Sequence, residues 1–256
     1  MNTLARIAST SLVGAAFFGP AAAAAEPRAP VAECRMQTPP GPPPQLVELY
    51  TSEGCSSCPP ADRWLAAMKS RPDLVPLGLH VNYWDYLGWR DRFASDATTQ
   101  RQRSQRAAWG ASQVYTPQVV VDGRDWPSWP RGLPAARREA APVAATLERH
   151  GQKVTARIPP TPGAVPGDGT LAAWWAVVED GHSSRVRAGE NAGELLRHDH
   201  VVRQLRPVPA WPARAGAEFG LELDAAADPQ HPRRVVLVVH AASGSPRPLQ
   251  VAVLGC

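Results

Sequence analysis

Four cysteines carry most of the chemistry open to this 256-residue chain, and two of them, Cys55 and Cys58, stand two residues apart in GCSSCPP. Such a pair serves as a redox couple, as half of a metal site, or as an inert staple. The redox use has a specific physical logic when the pair opens a helix. The helix N-terminus carries partial positive charge and unpaired N–H groups that favour a thiolate, and the thiolate is the reactive form. Two intervening residues let the second sulfur reach the first and resolve a mixed disulfide. Pro59 and Pro60 suit a first helical turn, where a missing N–H costs nothing. Cys55 is then the attacking thiol and Cys58 the resolving one. A structural zinc site needs four ligands, and the sequence has no second C-x-x-C. His80 with Cys55 and Cys58 is the alternative, a set suited to copper. His198 and His200 alternate in HDH and so share one face of a strand, where they read as surface residues.

These residues must be positioned by regular elements. QLVELY is a short β-like run, PPADRWLAAMKS repeats Trp64, Leu65 and Met68 at helical spacing, and LVPLGLHVNYW is a second strand, so the cysteines occupy the loop of a β-α-β unit. A polar helical stretch, Ser95 to Trp109, contains RQRSQR, which reads as a solvated face. YTPQVVVDGR is a strand ending at an Asp-Gly turn, and a helix is expected over Ala135 to Arg149. From Gly151 onward KVTARI, TLAAWWAVVE, HVVRQLR, AEFGLELD, RRVVLVVHA and PLQVAVLG are β-rich runs separated by Gly, Pro and Asp, the pattern of an antiparallel sheet or sandwich. No repeat of fixed period is visible.

The first 25 residues read as an export signal: Arg6, an apolar run from Ile7 to Phe18, then Ala23-Ala24-Ala25. That run is too short for a membrane anchor, and no other segment is long and apolar enough to span a bilayer. Residues 26–44 are proline-rich without apolar period and read as a tether, leaving 45–150 and 151–256 as two successive domains. A lipid on Cys34 is disfavoured by its distance from the apolar run. The formal charge of +4 becomes +3 without Arg6, too small a surplus to imply nucleic acid. Of 27 basic residues only Lys69 and Lys153 are lysines, a bias of composition more than of binding chemistry. An exported chain can oxidise all its cysteines. Cys34 and Cys256 lie near the two ends, and their most economical pairing is with each other, away from the active loop; the alternatives are free thiols or pairing between molecules.

Taken in order, GCSSCPPADRWL, HVNYWDYLGWRDRFAS, VYTPQVVVDG and RAGENAGELLRHDHVV resemble a secreted bacterial family known as domain of unknown function 1223, from about Leu46 onward. The resemblance implies a thioredoxin-like α/β fold followed by the β-rich domain. By the same resemblance Thr116-Pro117 takes the place of the superfamily's cis-proline, opposite the cysteines, where it docks an extended substrate segment as an added strand. Glu48 falls where thioredoxins bury an acid, provided one extra residue is allowed in TSEG, and would take the Cys58 proton. The chain departs from thioredoxin in Ser56-Ser57 between the cysteines, in the aromatic segment YWDYLGW, which walls the site or joins the core, and in the added β domain.

Three functions follow as expectations. The first is an exported, periplasmic or secreted thiol-disulfide oxidoreductase without cofactor, acting on protein or small-molecule thiols and recycled by an unidentified redox partner. The second is copper handling through Cys55, Cys58 and His80. The third is a binding module in which Cys55–Cys58 is permanent.

Overall fold

QLVELYT is apolar at most positions because both of its faces are covered; all seven residues are buried. In the computed structural model, which describes residues 33–163, 165, 169–224 and 226–256, the elements run from β1 (Glu33–Gln37) and β2 (Gln45–Thr51) to α1 (Pro59–Ala66), β3 (Leu74–His80) and α2 (Asp96–Ala108). There follow β4 (Gln118–Val121), β5 (Arg124–Asp125), β6 (Thr146–His150), β7 (Lys153–Ile158), β8 (Thr170–Glu179), β9 (His182–Arg185) and β10 (Leu195–His198). The chain closes with β11 (Val201–Pro212), β12 (Ala217–Glu222), β13 (Arg233–Ala241) and β14 (Pro248–Gly255). No helix among the described residues is long and apolar enough to cross a membrane. The expected export signal lies outside the described residues.

The architecture is mixed α/β with mostly strands. An eight-stranded sheet has the order β14-β13-β8-β11-β3-β2-β4-β5, a four-stranded sheet the order β1-β6-β7-β12, and β9 and β10 pair with each other. In the large sheet β2 runs parallel to β3, and β3 parallel to β11, while the other pairs are antiparallel. Strand alternation divides its side chains between two faces. Val47 and Leu49 of β2 pack on Ala61 and Leu65 of α1, whereas Leu46 and Tyr50 share the opposite face with Trp174, Ala176 and Val178 of β8 and with Ala97 of α2. Trp175 and Val177, alternating with Trp174, meet Leu147, Val154 and Leu221 of the four-stranded sheet. Helix α1 and the small sheet therefore cover one face of the large sheet, and α2 the other.

Several expectations change. The boundary expected between residues 150 and 151 falls inside the β6–β7 hairpin, where His150 pairs with Lys153. The strands of the second half extend the sheet of the first, so the sandwich-like β-rich part is not a separate domain. No helix forms over Ala135 to Arg149. Pro142 interrupts that span, since proline removes a helical hydrogen bond and disfavours helix in the residue before it, and Thr146–His150 is β6 instead. Part of the proline-rich tether is also ordered. Glu33–Gln37 pairs antiparallel with β6 along its length, and Thr38 N–H donates to Ala145 O at 2.9 Å.

Cys34 on β1 and Cys256, just beyond β14, form a disulfide. Each strand is the edge of its sheet, so the bond clasps the two layers at a shared border. It closes a loop of 222 residues, for which chain entropy sets an upper figure of about 5 kcal/mol. Replacing both cysteines by serine is expected to cost about 2–4 kcal/mol in urea unfolding and to leave the Cys55–Cys58 reduction rate unchanged; a loss below about 1 kcal/mol contradicts the clasp.

Candidate redox site

The cysteine loop leaves the buried end of β2 and enters α1 through tight turns, with Cys55 N–H donating to Ser52 O at 3.1 Å and Cys58 N–H to Cys55 O at 3.2 Å. Cys58 caps α1, and Pro59 and Pro60 fill its first turn. Cys55 and Cys58 form a disulfide and are 1% and 0% exposed. The prolines remove two of the N–H groups that a helix start usually offers, and those of Ala61 and Asp62 both donate to Cys58 O, at 2.9 and 3.1 Å. Stabilisation of a Cys55 thiolate thus falls to the helix dipole and to Ser57, whose Oγ lies 3.4 Å from Cys55 Sγ.

Three segments converge on this loop. The aromatic stretch supplies a wall: Trp84 Cβ would lie 2.9 Å from a Cβ at position 54, so Gly54 is what lets the tryptophan approach. Trp84 Nε1 donates to Thr116 Oγ1 at 2.8 Å, tying the cysteine loop to the Thr116-Pro117 step, which is cis. Trp89 Nε1 donates to Glu53 Oε2 at 2.7 Å, while Tyr86 is 78% exposed. The third segment is the tip of the β9–β10 hairpin. Asn191 Nδ2 donates to Glu53 O at 2.9 Å and to Cys55 O at 3.0 Å, and Glu190 Oε2 accepts from Ser56 N–H at 2.9 Å and Ser56 Oγ at 2.8 Å.

Behind the loop lies a buried cluster of acids and histidines. Asp91 Oδ2 accepts from Glu53 N–H at 2.9 Å and meets His80 Nδ1 at 2.7 Å. His198 Nε2 lies 3.2 Å from Glu53 Oε1, and its ring packs edge-on to that of His80 at 4.8 Å. Burial alone would lower the His80 pKa, but the Asp91 charge and hydrogen bond outweigh it and raise the value. Burial would likewise raise Asp91 and Glu53; His80 holds Asp91 below the ordinary range, and the His198 contact does so for Glu53. Asp62 is different. One helical turn beyond Cys58 and half-buried, it faces Thr51, and burial pushes its carboxyl up despite the opposing pull of His198 and His80.

The structure thus separates some of the expected residues. Glu48 is buried, but on the α2 face of β2, across the sheet from the residues that pack on α1. Its carboxylate meets Arg101 Nε at 2.6 Å, Gln105 Nε2 at 3.0 Å and Tyr50 OH at 3.4 Å. The physical reason is register: a strand has period two, so one extra residue between an acid and the cysteines turns the side chain to the opposite face. Glu48 is therefore a structural ion-pair partner, not an acceptor facing Cys58. RQRSQR is a solvated face only at Arg103 and Ser104. Gln102 and Gln105 are buried, and the Arg101 guanidinium lies 3.8 Å over the Trp174 ring. His80 is committed to Asp91 and the cysteines to each other, and among the described residues no three His, Cys, Asp or Glu side chains are arranged to hold a metal ion. His198 and His200 are both buried and do not share a site. A left-handed turn at His200, with φ of 62°, sends its ring to Asp180 and Arg234.

Removing Arg101 strands a buried carboxylate. Arg101→Met is expected to destabilise the protein by about 3 kcal/mol in urea unfolding, while alkylation rates of the reduced cysteines stay within about two-fold because Glu48 lies across the sheet. A loss below about 1 kcal/mol contradicts this assignment.

Comparison with known proteins agrees with the motifs. No curated protein matches the chain. Among solved structures, protein AGR_C_4864 from Agrobacterium tumefaciens is similar at 28% identity and a TM-score of 0.60, over 83% of this chain and 94% of that one. HBP35 of Porphyromonas gingivalis is alike in fold, with 14% identity and a TM-score of 0.52 over 84% of this chain and 75% of its own. Residues 46–239 match the family described as protein of unknown function DUF1223, and the chain belongs to that family.

Proposed function

We propose that this protein is an exported thiol-disulfide oxidoreductase built on a thioredoxin-like unit, β2-α1-β3 with α2 and β4. The observation that carries the reading is the Cys55–Cys58 disulfide at the junction of a central buried strand and a helix. Two disulfides in one chain also favour an oxidising compartment, periplasmic or extracellular. The Cys55 thiolate attacks one sulfur of a substrate disulfide, forming a mixed disulfide and releasing the other sulfur as a thiolate. Cys58 then passes its proton to the Asp62 carboxylate, and its thiolate attacks the Cys55 sulfur. That step closes Cys55–Cys58 and expels the second substrate thiolate. In the opposite direction the same steps oxidise a dithiol.

Asp62 takes the role that sequence reasoning gave to Glu48, because it lies on the helix that begins at Cys58. A carboxyl whose pKa is raised toward that of a thiol is the better proton acceptor. The Thr116 backbone beside Trp84 offers an extended substrate segment a strand to pair with.

In the Cys58→Ser variant, Cys55 should accumulate mixed disulfides with exported proteins or with a model disulfide substrate, and Cys55→Ser should accumulate none. Failure of both variants to trap, together with no turnover by the parent, removes the reading. Asp62→Asn should slow resolution of a preformed mixed disulfide by at least about tenfold near neutral pH and change its pH profile; a profile superimposable on the parent's assigns the proton to another group.

A further inference from the structure

The motif RAGENAGELL lies in the second half of the chain, and no step above uses it. Its tip, residues 186–194, sits directly on the cysteine loop. Glu190 accepts from both the backbone N–H and the hydroxyl of Ser56, and the Asn191 amide bridges the carbonyls on either side of Gly54. Both cysteines of the loop it holds are at most 1% exposed. Thiol-disulfide exchange requires an incoming thiolate to reach a disulfide sulfur, so in this arrangement exchange is blocked.

Of the walls around the pair, the tip stands on a hairpin outside the large sheet, and the buried residues within it are Val186 and Asn191. Trp84 packs against the core that includes Tyr50, and Thr116 is joined to β4 through Pro117 alone. The hairpin behind the tip is by contrast a two-stranded sheet of its own, so displacing it breaks no ladder bond of the large sheet. The tip is internally braced, with Val186 N–H donating to Glu194 O and Gly193 N–H to Val186 O, both at 2.9 Å. It can therefore move as a unit about its base. Gly189 and Gly193, with φ of 77° and 93°, supply its turns.

We propose that the tip of the β9–β10 hairpin is a gate over the Cys55–Cys58 disulfide, latched by Glu190 and Asn191, and that it selects which thiols reach the pair. The latch responds to the state it covers. In the oxidised protein Glu190 holds Ser56, next to a neutral sulfur. Once the pair is reduced, the Glu190 carboxylate, held on Ser56, has a like charge on the neighbouring residue, the Cys55 thiolate, and their repulsion favours release. A substrate that opens the gate inherits the Ser56 N–H and hydroxyl, which suit a carbonyl or carboxylate acceptor.

This gate rests on the exchange reading, but its test reads reduction of the chain's own disulfide and does not depend on turnover of any substrate. The oxidised protein is mixed with dithiothreitol in stopped flow, and the bimolecular rate constant of Cys55–Cys58 reduction is compared among parent, Glu190→Ala and Asn191→Ser. Glu190 is exposed, so the first variant keeps the test valid if the buried Asn191 change disturbs folding. The gate predicts at least a five-fold rise for Glu190→Ala with an unchanged far-ultraviolet circular dichroism spectrum. A rate within two-fold of the parent's in the folded variant overturns it.

Discussion

A short parallel contact inserts the second half of the chain into the sheet of the first. Strand β11 enters the large sheet beside β3 at Val201 and Gly78, where Gly78 N–H donates to His200 O at 2.7 Å. A Cβ at Gly78 would stand 3.4 Å from His200 O and 3.7 Å from a methyl of Leu65, so glycine keeps the approach uncrowded. Asp180 fixes the turn that delivers β11 there. Its Oδ1 accepts from His200 N–H at 2.7 Å, and Arg234, which reaches Asp180 at 3.3 Å, donates to His200 Nδ1 at 2.7 Å. Burial alone would raise the Asp180 pKa, but the His200 bonds and the Arg234 charge hold it well below the usual carboxylate range. Its stabilisation is therefore present above the ordinary aspartate range and lost as pH falls.

The geometry of the site depends on that join. Because β10 ends at His198, just before the turn, the hairpin it closes folds back over α1 and the cysteine loop. His198 thereby reaches Glu53, and the tip reaches Ser56 and Cys55. The β-rich half thus supplies residues both behind and against the cysteine loop. Without it, Glu53 would lose its His198 contact, and Ser56 its Glu190 partner.

Local chemistry was legible in the sequence; chemistry that depends on closure was not. The cysteine spacing, the prolines after Cys58 and the apolar runs of β2 and β3 announce a strand, a loop and a helix, because each is decided by neighbours along the chain. The strand TLAAWWAVVE likewise shows its double burial in its composition. The face of Glu48 was misjudged because one residue of register inverts it, and a polar helix such as α2 hides its buried side when that side is made of Gln102, Gln105 and Arg101. Asp62 was within reach of sequence reasoning, since it stands one helical turn from Cys58. The contacts of Glu190 and Asn191 were not, because they close across 134 to 138 positions of chain and no local pattern encodes them.

The central claim is that Cys55–Cys58 exchanges in the protein's working life instead of serving as a staple. Equilibrium titration of the purified protein against dithiothreitol and glutathione couples measures this directly. The account predicts a reduction potential for the pair above about −300 mV, within range of a cellular thiol pool. A potential below about −300 mV would mark a permanent structural bond and contradict the claim.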